Sequence, residues 1–232
     1  MTEKLLAWCV HLYTALGLVA AAGMAVLIVR GNDESFRWAF VLMFAATIID
    51  SSDGYFARKA RVKEVLPHID GRKLDDLIDF HTYTSLPLLL VWRAGLLPDH
   101  LAWLLVAPLL ASVYGFSQSA AKTDDGFFLG FPSYWNVVAF YLYYLQPPVW
   151  FSAAAIIFFA LMTFVPSRYL YSSTGGPFMR AMIAGGIVWA ALLALILMRA
   201  TAHTKALTLI SLAYPCCYLA LSWIVTLRRR NK

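Results

Sequence analysis

Charge is scarce in this sequence. Only 14% of its 232 residues are Asp, Glu, Lys or Arg, where a soluble domain carries about a quarter. That composition excludes an ordinary water-soluble globule. Cysteine is scarce as well: Cys9, Cys216 and Cys217, each within an apolar run. Their spacing suits no zinc site, and an odd count opposes a disulfide framework, so they are packing or lipid-facing residues. There is no internal repeat and no low-complexity stretch. Acidic residues are nearly missing from the middle of most apolar runs. This speaks against a cation channel or transporter, because conduction needs polar groups through the full depth of a membrane.

What the chain does hold is apolar length. Hydrophobic residues make up 61% of it, in runs of roughly the 20 residues that span a bilayer as a helix. The runs do not alternate apolar and polar, so a β-barrel is excluded. The reading is an all-α, polytopic helical membrane bundle, with residues 1–232 as a single membrane-embedded domain. Eight spans are expected, at about 5–29, 36–57, 75–96, 100–121, 132–146, 149–166, 180–199 and 206–227. The fifth and sixth are short and meet at Gln146-Pro147-Pro148, which predicts a hairpin turn. Lys4 and the small-residue run Ala20–Ala25 resemble a signal peptide. The apolar stretch continues to Val29, so the first segment is expected to be an uncleaved span.

The net charge is +6. In a membrane chain, basic residues set topology and touch anionic headgroups, so no nucleic-acid partner is expected. With both termini in the cytoplasm, fourteen of the 19 Lys and Arg fall inside. They include Lys4, six residues between Arg58 and Lys73, Lys122, Arg168, Arg180 and the tail from Arg228 to Lys232. Arg30, Arg37, Arg93, Arg199 and Lys205 fall outside. That asymmetry predicts eight spans with both ends cytoplasmic.

The exception to the scarcity of charge is Asp50–Phe80, which holds seven carboxylates. Asp50 and Asp53 are spaced i, i+3 at the end of the second span. Asp75 and Asp79 are spaced i, i+4 at the start of the third. Each pair occupies one helix face, and the short connection makes the two helices neighbours. Four converging carboxylates need a cation, because like charges at membrane depth oppose one another's ionisation. Hard oxygen ligands suit Mg²⁺, Mn²⁺ or Ca²⁺, and paired metals are the usual device for displacement at phosphorus. Gly54 and Ala57 lie beside the first pair, Arg58 one turn on can meet a phosphate, and Gly71 opens the approach to the third helix. Asp70 and Asp76 lie off the two faces, as loop or supporting residues, and Glu64 and His68 are loop residues.

The pattern Asp50, Asp53, Gly54, Ala57, Arg58, then Gly71, Asp75 and Asp79, resembles the signature of the CDP-alcohol phosphatidyltransferases at all eight positions. The gap from Lys59 to Asp70 is longer than the family's usual one. With the segments Gly130–Asn136 and Val165–Tyr171, it resembles the branch whose acceptor is choline. The resemblance implies a six-helix core and CDP-diacylglycerol as donor. It implies two Mn²⁺ or Mg²⁺ ions on Asp50, Asp53, Asp75 and Asp79, with Asp79 also the general base. It implies nucleotide contacts at Gly54, Ala57, Arg58 and Gly71. It raises the expectation of a homodimer in a bacterial inner membrane, with the site facing the cytoplasm. Choline, a quaternary ammonium, calls for π faces, for which Tyr83, Tyr134 and Trp135 are candidates, with Asn136 for the hydroxyl. Lys122 and Arg168 are candidates for a lipid phosphate. Serine, inositol and glycerol phosphate remain alternative acceptors.

Overall fold

The computed structural model describes residues 2–118, 127–170, 177–198 and 203–230. It is helical almost throughout, and the chain divides into two compact units, Met1–Ala94 and Gly95–Lys232.

The first unit opens with α1 (Thr2–Arg30). Its buried residues Ala7, Val10, Thr14, Gly17, Ala21, Met24 and Ile28 recur every three or four positions and form one stripe, with His11 buried beside Val10. The other faces show Leu5, Leu12, Val19 and Val26 to the surroundings, which suits lipid contact. α2 (Asp33–Lys59) starts from Asn32, whose side chain accepts a hydrogen bond from the Ser35 N–H at 2.8 Å. This is the satisfaction of orphan N–H groups expected of an N-cap. α2 ends at Ala60, and Arg61 turns the chain with φ of 49°. The short α3 (Val62–Val65) then buries Val62 and Leu66 against Ala7 and Val10.

α4 (Gly71–Asp79) is capped by Asp70, whose carboxylate accepts from the Arg72 and Lys73 N–H groups at 3.2 Å. It runs without a break into a wider π-helical turn, Phe80–Ser85, and then α5 (Leu86–Arg93). Pro87 follows that turn and has no N–H to give to the carbonyl of residue 83, which removes one ordinary helical bond there. α1 lies close along α4 because Gly17 has no side chain. A Cβ at Gly17 would come 2.7 Å from Ile78 Cγ2.

The second unit begins with a 3₁₀ segment, Asp99–Leu105, leading into α6 (Val106–Ser117). It continues with α7 (Trp135–Leu145), α8 (Val149–Phe164), α9 (Pro177–Met198), α10 (Thr204–Ser211) and α11 (Ala213–Arg230). The expected turn at Gln146-Pro147-Pro148 is present: Gln146 closes α7 with φ of 47°, and Pro148 precedes α8. Polar pairs tie the helices inside this unit. The Trp189 indole N–H donates to Tyr141 Oη at 2.8 Å, and Tyr141 meets Ser211 Oγ at 2.9 Å.

Five described helical segments are long and apolar enough to cross a membrane. α8 is a shorter apolar helix, and Gly71–Arg93 reaches its length only by joining α4, the wide turn and α5. Besides the wide turn, two details differ from the sequence expectation. The run 206–227 is interrupted at Leu212, between α10 and α11, just before Pro215, which has no N–H for the Ser211 carbonyl. A small antiparallel ribbon also pairs β1 (Phe127–Leu129) with β2 (Arg168–Leu170).

Candidate metal and nucleotide site

α2 and α4 bring the paired aspartates together as their helical spacings predict. Oxygens of Asp50, Asp75 and Asp79 all lie within 4.8 Å of one another, and all three side chains are half-buried. These residues and Asp53 line one small concavity, with Thr14 and Gly17 of α1, Ala46 and Ile49 of α2, Ile78 of α4 and Thr82. Asp53 stands slightly apart from the cluster of three. It is 7% exposed, and its Oδ2 accepts the Thr14 hydroxyl at 2.8 Å.

The donor set fits a hard divalent cation. Three carboxylate oxygens at this separation repel strongly unless positive charge or protons intervene. Oxygen-only ligation favours Mg²⁺, Mn²⁺ or Ca²⁺ over zinc. No cysteine or histidine belongs to the group.

Around the carboxylates, the remaining signature residues lie on the same two helices. Arg58 is exposed and folds back towards Gly54, its Nη1 3.4 Å from where a Gly54 Cβ would be. Ala57 packs against the small cluster of Ala7, Val10, Val62 and Leu66. Gly71 faces the His11 ring, with Cε1 3.2 Å from its would-be Cβ. The residues set aside from the sequence are accounted for: Asp70 caps α4, and Asp76 meets Arg72 at 3.8 Å.

The candidates for the alcohol and lipid fall in both units. Tyr83, in the wide turn, is 8% exposed and donates its hydroxyl to Asp50 Oδ2 at 2.7 Å. In the second unit, Trp135 is fully buried with its indole N–H on Ser112 Oγ at 2.9 Å. Tyr134 is half-buried beside Phe131. Asn136 accepts the Val137 N–H at 2.9 Å through its own Oδ1. Arg168 sits in β2, its guanidinium 5.8 Å from the Phe127 ring centre and its backbone N–H on Thr226. Lys122 lies outside the described residues.

Sequence reasoning missed what α1 contributes. Thr14 reaches Asp53, the Tyr13 hydroxyl meets Ser52 at 2.8 Å, and His11 is buried with its Nε2 lacking a hydrogen-bond partner. The available signal was the polar pair His11 and Thr14, one turn apart on a stripe otherwise built from small and apolar residues.

No family model matches the chain. Curated relatives do. The chain is 35% identical to the phosphatidylcholine synthase of Pseudomonas aeruginosa over 188 residues, 81% of this chain and 78% of that protein. It is 35% identical to the phosphatidylcholine synthase of Legionella pneumophila, over 75% of this chain and 68% of that protein. It is 33% identical to the phosphatidylcholine synthase of Borreliella burgdorferi, over 73% and 71% respectively.

Proposed function

The chain belongs to the phosphatidylcholine synthase family, and from that membership we propose that it transfers the phosphatidyl group of CDP-diacylglycerol to choline. The products are phosphatidylcholine and CMP. The observation that carries the chemistry is the approach of Asp50, Asp75 and Asp79 to within 4.8 Å.

In this reading Asp50, Asp53, Asp75 and Asp79 hold two divalent ions, Mn²⁺ or Mg²⁺. When bound, such ions neutralise charge on the pyrophosphate and act as Lewis acids at phosphorus. The choline oxygen attacks the lipid-side β-phosphorus, forming the new P–O bond. The bond from that phosphorus to the oxygen bridging the two phosphates breaks, and CMP leaves with the electron pair. The hydroxyl proton passes to Asp79. A free carboxylate is a weak base for an alcohol, and the half-buried setting of Asp79, which disfavours its charged form, makes it a better acceptor for that proton. Gly54 and Ala57 leave room for the nucleotide, Arg58 supplies a charged fork for phosphate, and Gly71 lets the substrate approach the start of α4.

Tyr83, Tyr134 and Trp135 are the candidate π faces for the choline ammonium, and Asn136 the candidate for its hydroxyl. Arg168 and Lys122 are the candidates for a lipid phosphate. Residues 1–232 act as one membrane domain, multi-pass in a bacterial inner membrane, with the acidic site and both termini towards the cytoplasm. A homodimer is the expected assembly.

The test uses purified protein in detergent with CDP-diacylglycerol, Mn²⁺ and labelled choline. Metal-dependent formation of labelled lipid and CMP is expected, and Asp79→Asn should lower the rate by about 10²–10⁴-fold, the usual contribution of a general base. CMP release with serine, inositol or glycerol phosphate but not choline would overturn the acceptor while keeping the chemistry. No CMP with any alcohol would overturn the reaction.

A further inference from the structure

Tyr83 sits where an alcohol-binding aromatic is expected, yet its surroundings describe a different task. Its phenol is 8% exposed and its O–H donates to Asp50 Oδ2 at 2.7 Å, across 33 residues of sequence. An ionised carboxylate only accepts hydrogen bonds, so the donor is the phenol. Hydrogen bonds to charged acceptors are among the stronger ones in proteins. Tyr83 is therefore fastened to α2 at the acidic cluster.

The helix itself is altered at this point. Asp79 ends α4, and Phe80–Ser85 forms a π-helical turn. In a turn closed by i→i+5 bonds, each residue advances by less than the roughly 100° of an α-helix. Tyr83 is thus rotated relative to Asp79, compared with its place in a regular helix. Single π turns are uncommon and recur at functional sites. Here the turn carries a phenol from the α4–α5 strut onto the carboxylate contributed by the other helix.

We propose that the Tyr83 hydroxyl is a positioning group for the metal cradle, holding Asp50 in register with Asp75 and Asp79. Free carboxylates at a mutual separation of a few ångströms turn away from one another. A donor fixed on one oxygen of Asp50 prevents that rotation and leaves its other lone pairs for a cation. This is the part that outer hydrogen-bond partners take at metal centres, where losing one costs 10–100-fold in metal affinity or activity. The inference rests on reading the acidic cluster as a divalent-metal site.

The experiment is a Mn²⁺ titration of purified wild type and Tyr83→Phe by calorimetry, without substrate, with Mn²⁺-induced thermal stabilisation as a second readout. Phenylalanine keeps the ring and removes one oxygen. The expected result is a 10–100-fold weaker Mn²⁺ affinity. Transferase activity should return at raised Mn²⁺. Should Tyr83→Phe fail to fold, Tyr83→Gln, which retains a donor, must bind Mn²⁺ more tightly than Tyr83→Leu. Coincident titrations of wild type and Tyr83→Phe would overturn the proposal. So would a rise in choline KM with unchanged Mn²⁺ affinity, which would make Tyr83 an alcohol contact. A folded wild type that binds no Mn²⁺ would instead sink the metal reading itself, and the proposal with it.

Discussion

Trp135 has no exposed surface, and its one polar atom is spent on Ser112 at 2.9 Å. Truncation to alanine would leave a large cavity and an unpaired hydroxyl, at a cost of about 3–5 kcal/mol. Trp135→Ala is therefore expected to lower the melting temperature sharply in any detergent that supports the wild type. Trp135→Phe keeps most of the volume and is the fair probe of choline recognition. If the indole offers choline a π face, the phenylalanine variant raises the choline KM several-fold and leaves the CDP-diacylglycerol KM alone. Equal rises in both constants would remove Trp135 from the choline site. That the four aspartates converge on one concavity was legible at this scale, because i, i+3 and i, i+4 spacings fix which side chains share a face. Thr14 and His11 were not, because their partners lie 39 and 60 residues away and no local rule reports such contacts.

Two glycines show how elements depend on what surrounds them. Gly130, beside the ribbon, has φ of +80°, and a Cβ there would fall 2.2 Å from the Thr163 carbonyl oxygen of α8. Gly95, after α5, has φ of +68° with nothing within 4 Å of its would-be Cβ. Both positions disfavour a side chain by backbone conformation, at about 1–2 kcal/mol. Only Gly130 adds a collision with backbone that cannot swing aside. Gly130→Ala is expected to lower the thermal midpoint well beyond Gly95→Ala, measured by unfolding in the same detergent. Similar shifts would show that α8 yields and that the contact is loose. The helices themselves were largely legible, since apolar runs longer than 15 residues between turn signals have few other folds. The wide turn at Phe80–Ser85, the break at Leu212 and the three-residue strands were not. The turn and the break each precede a proline, Pro87 and Pro215, whose effect on a helix is not fixed by the residue alone, and the two strands are separated by 38 residues of chain.

For the molecule as a whole, the charge asymmetry makes a topological prediction. With the native cysteines, all three exposed, replaced by serine, a cysteine at Ala60 should react with an impermeant thiol reagent only from the cytoplasmic side. A cysteine at Asn32, the cap of α2, should react only from the opposite side. Labelling of residue 60 from outside would reverse the orientation and carry the acidic site with it. The exposed apolar faces of α1, α9 and α11, including Leu5, Ile187, Val188 and Leu227, are what a chain facing hydrocarbon rather than water would carry.

The sequence by itself determined that this chain is a helical membrane protein with a carboxylate cluster shared by the helices now seen as α2 and α4. Both follow from local quantities: the length of apolar runs and the angular period of a helix. The tertiary structure decided which oxygens meet, that Asp53 turns to Thr14 while Asp50 turns to Tyr83, and that α1 closes on α4 at Gly17. Those outcomes depend on the distance between helices. That distance is set by side-chain volumes at contacts far apart in the chain, and no period along the sequence encodes it.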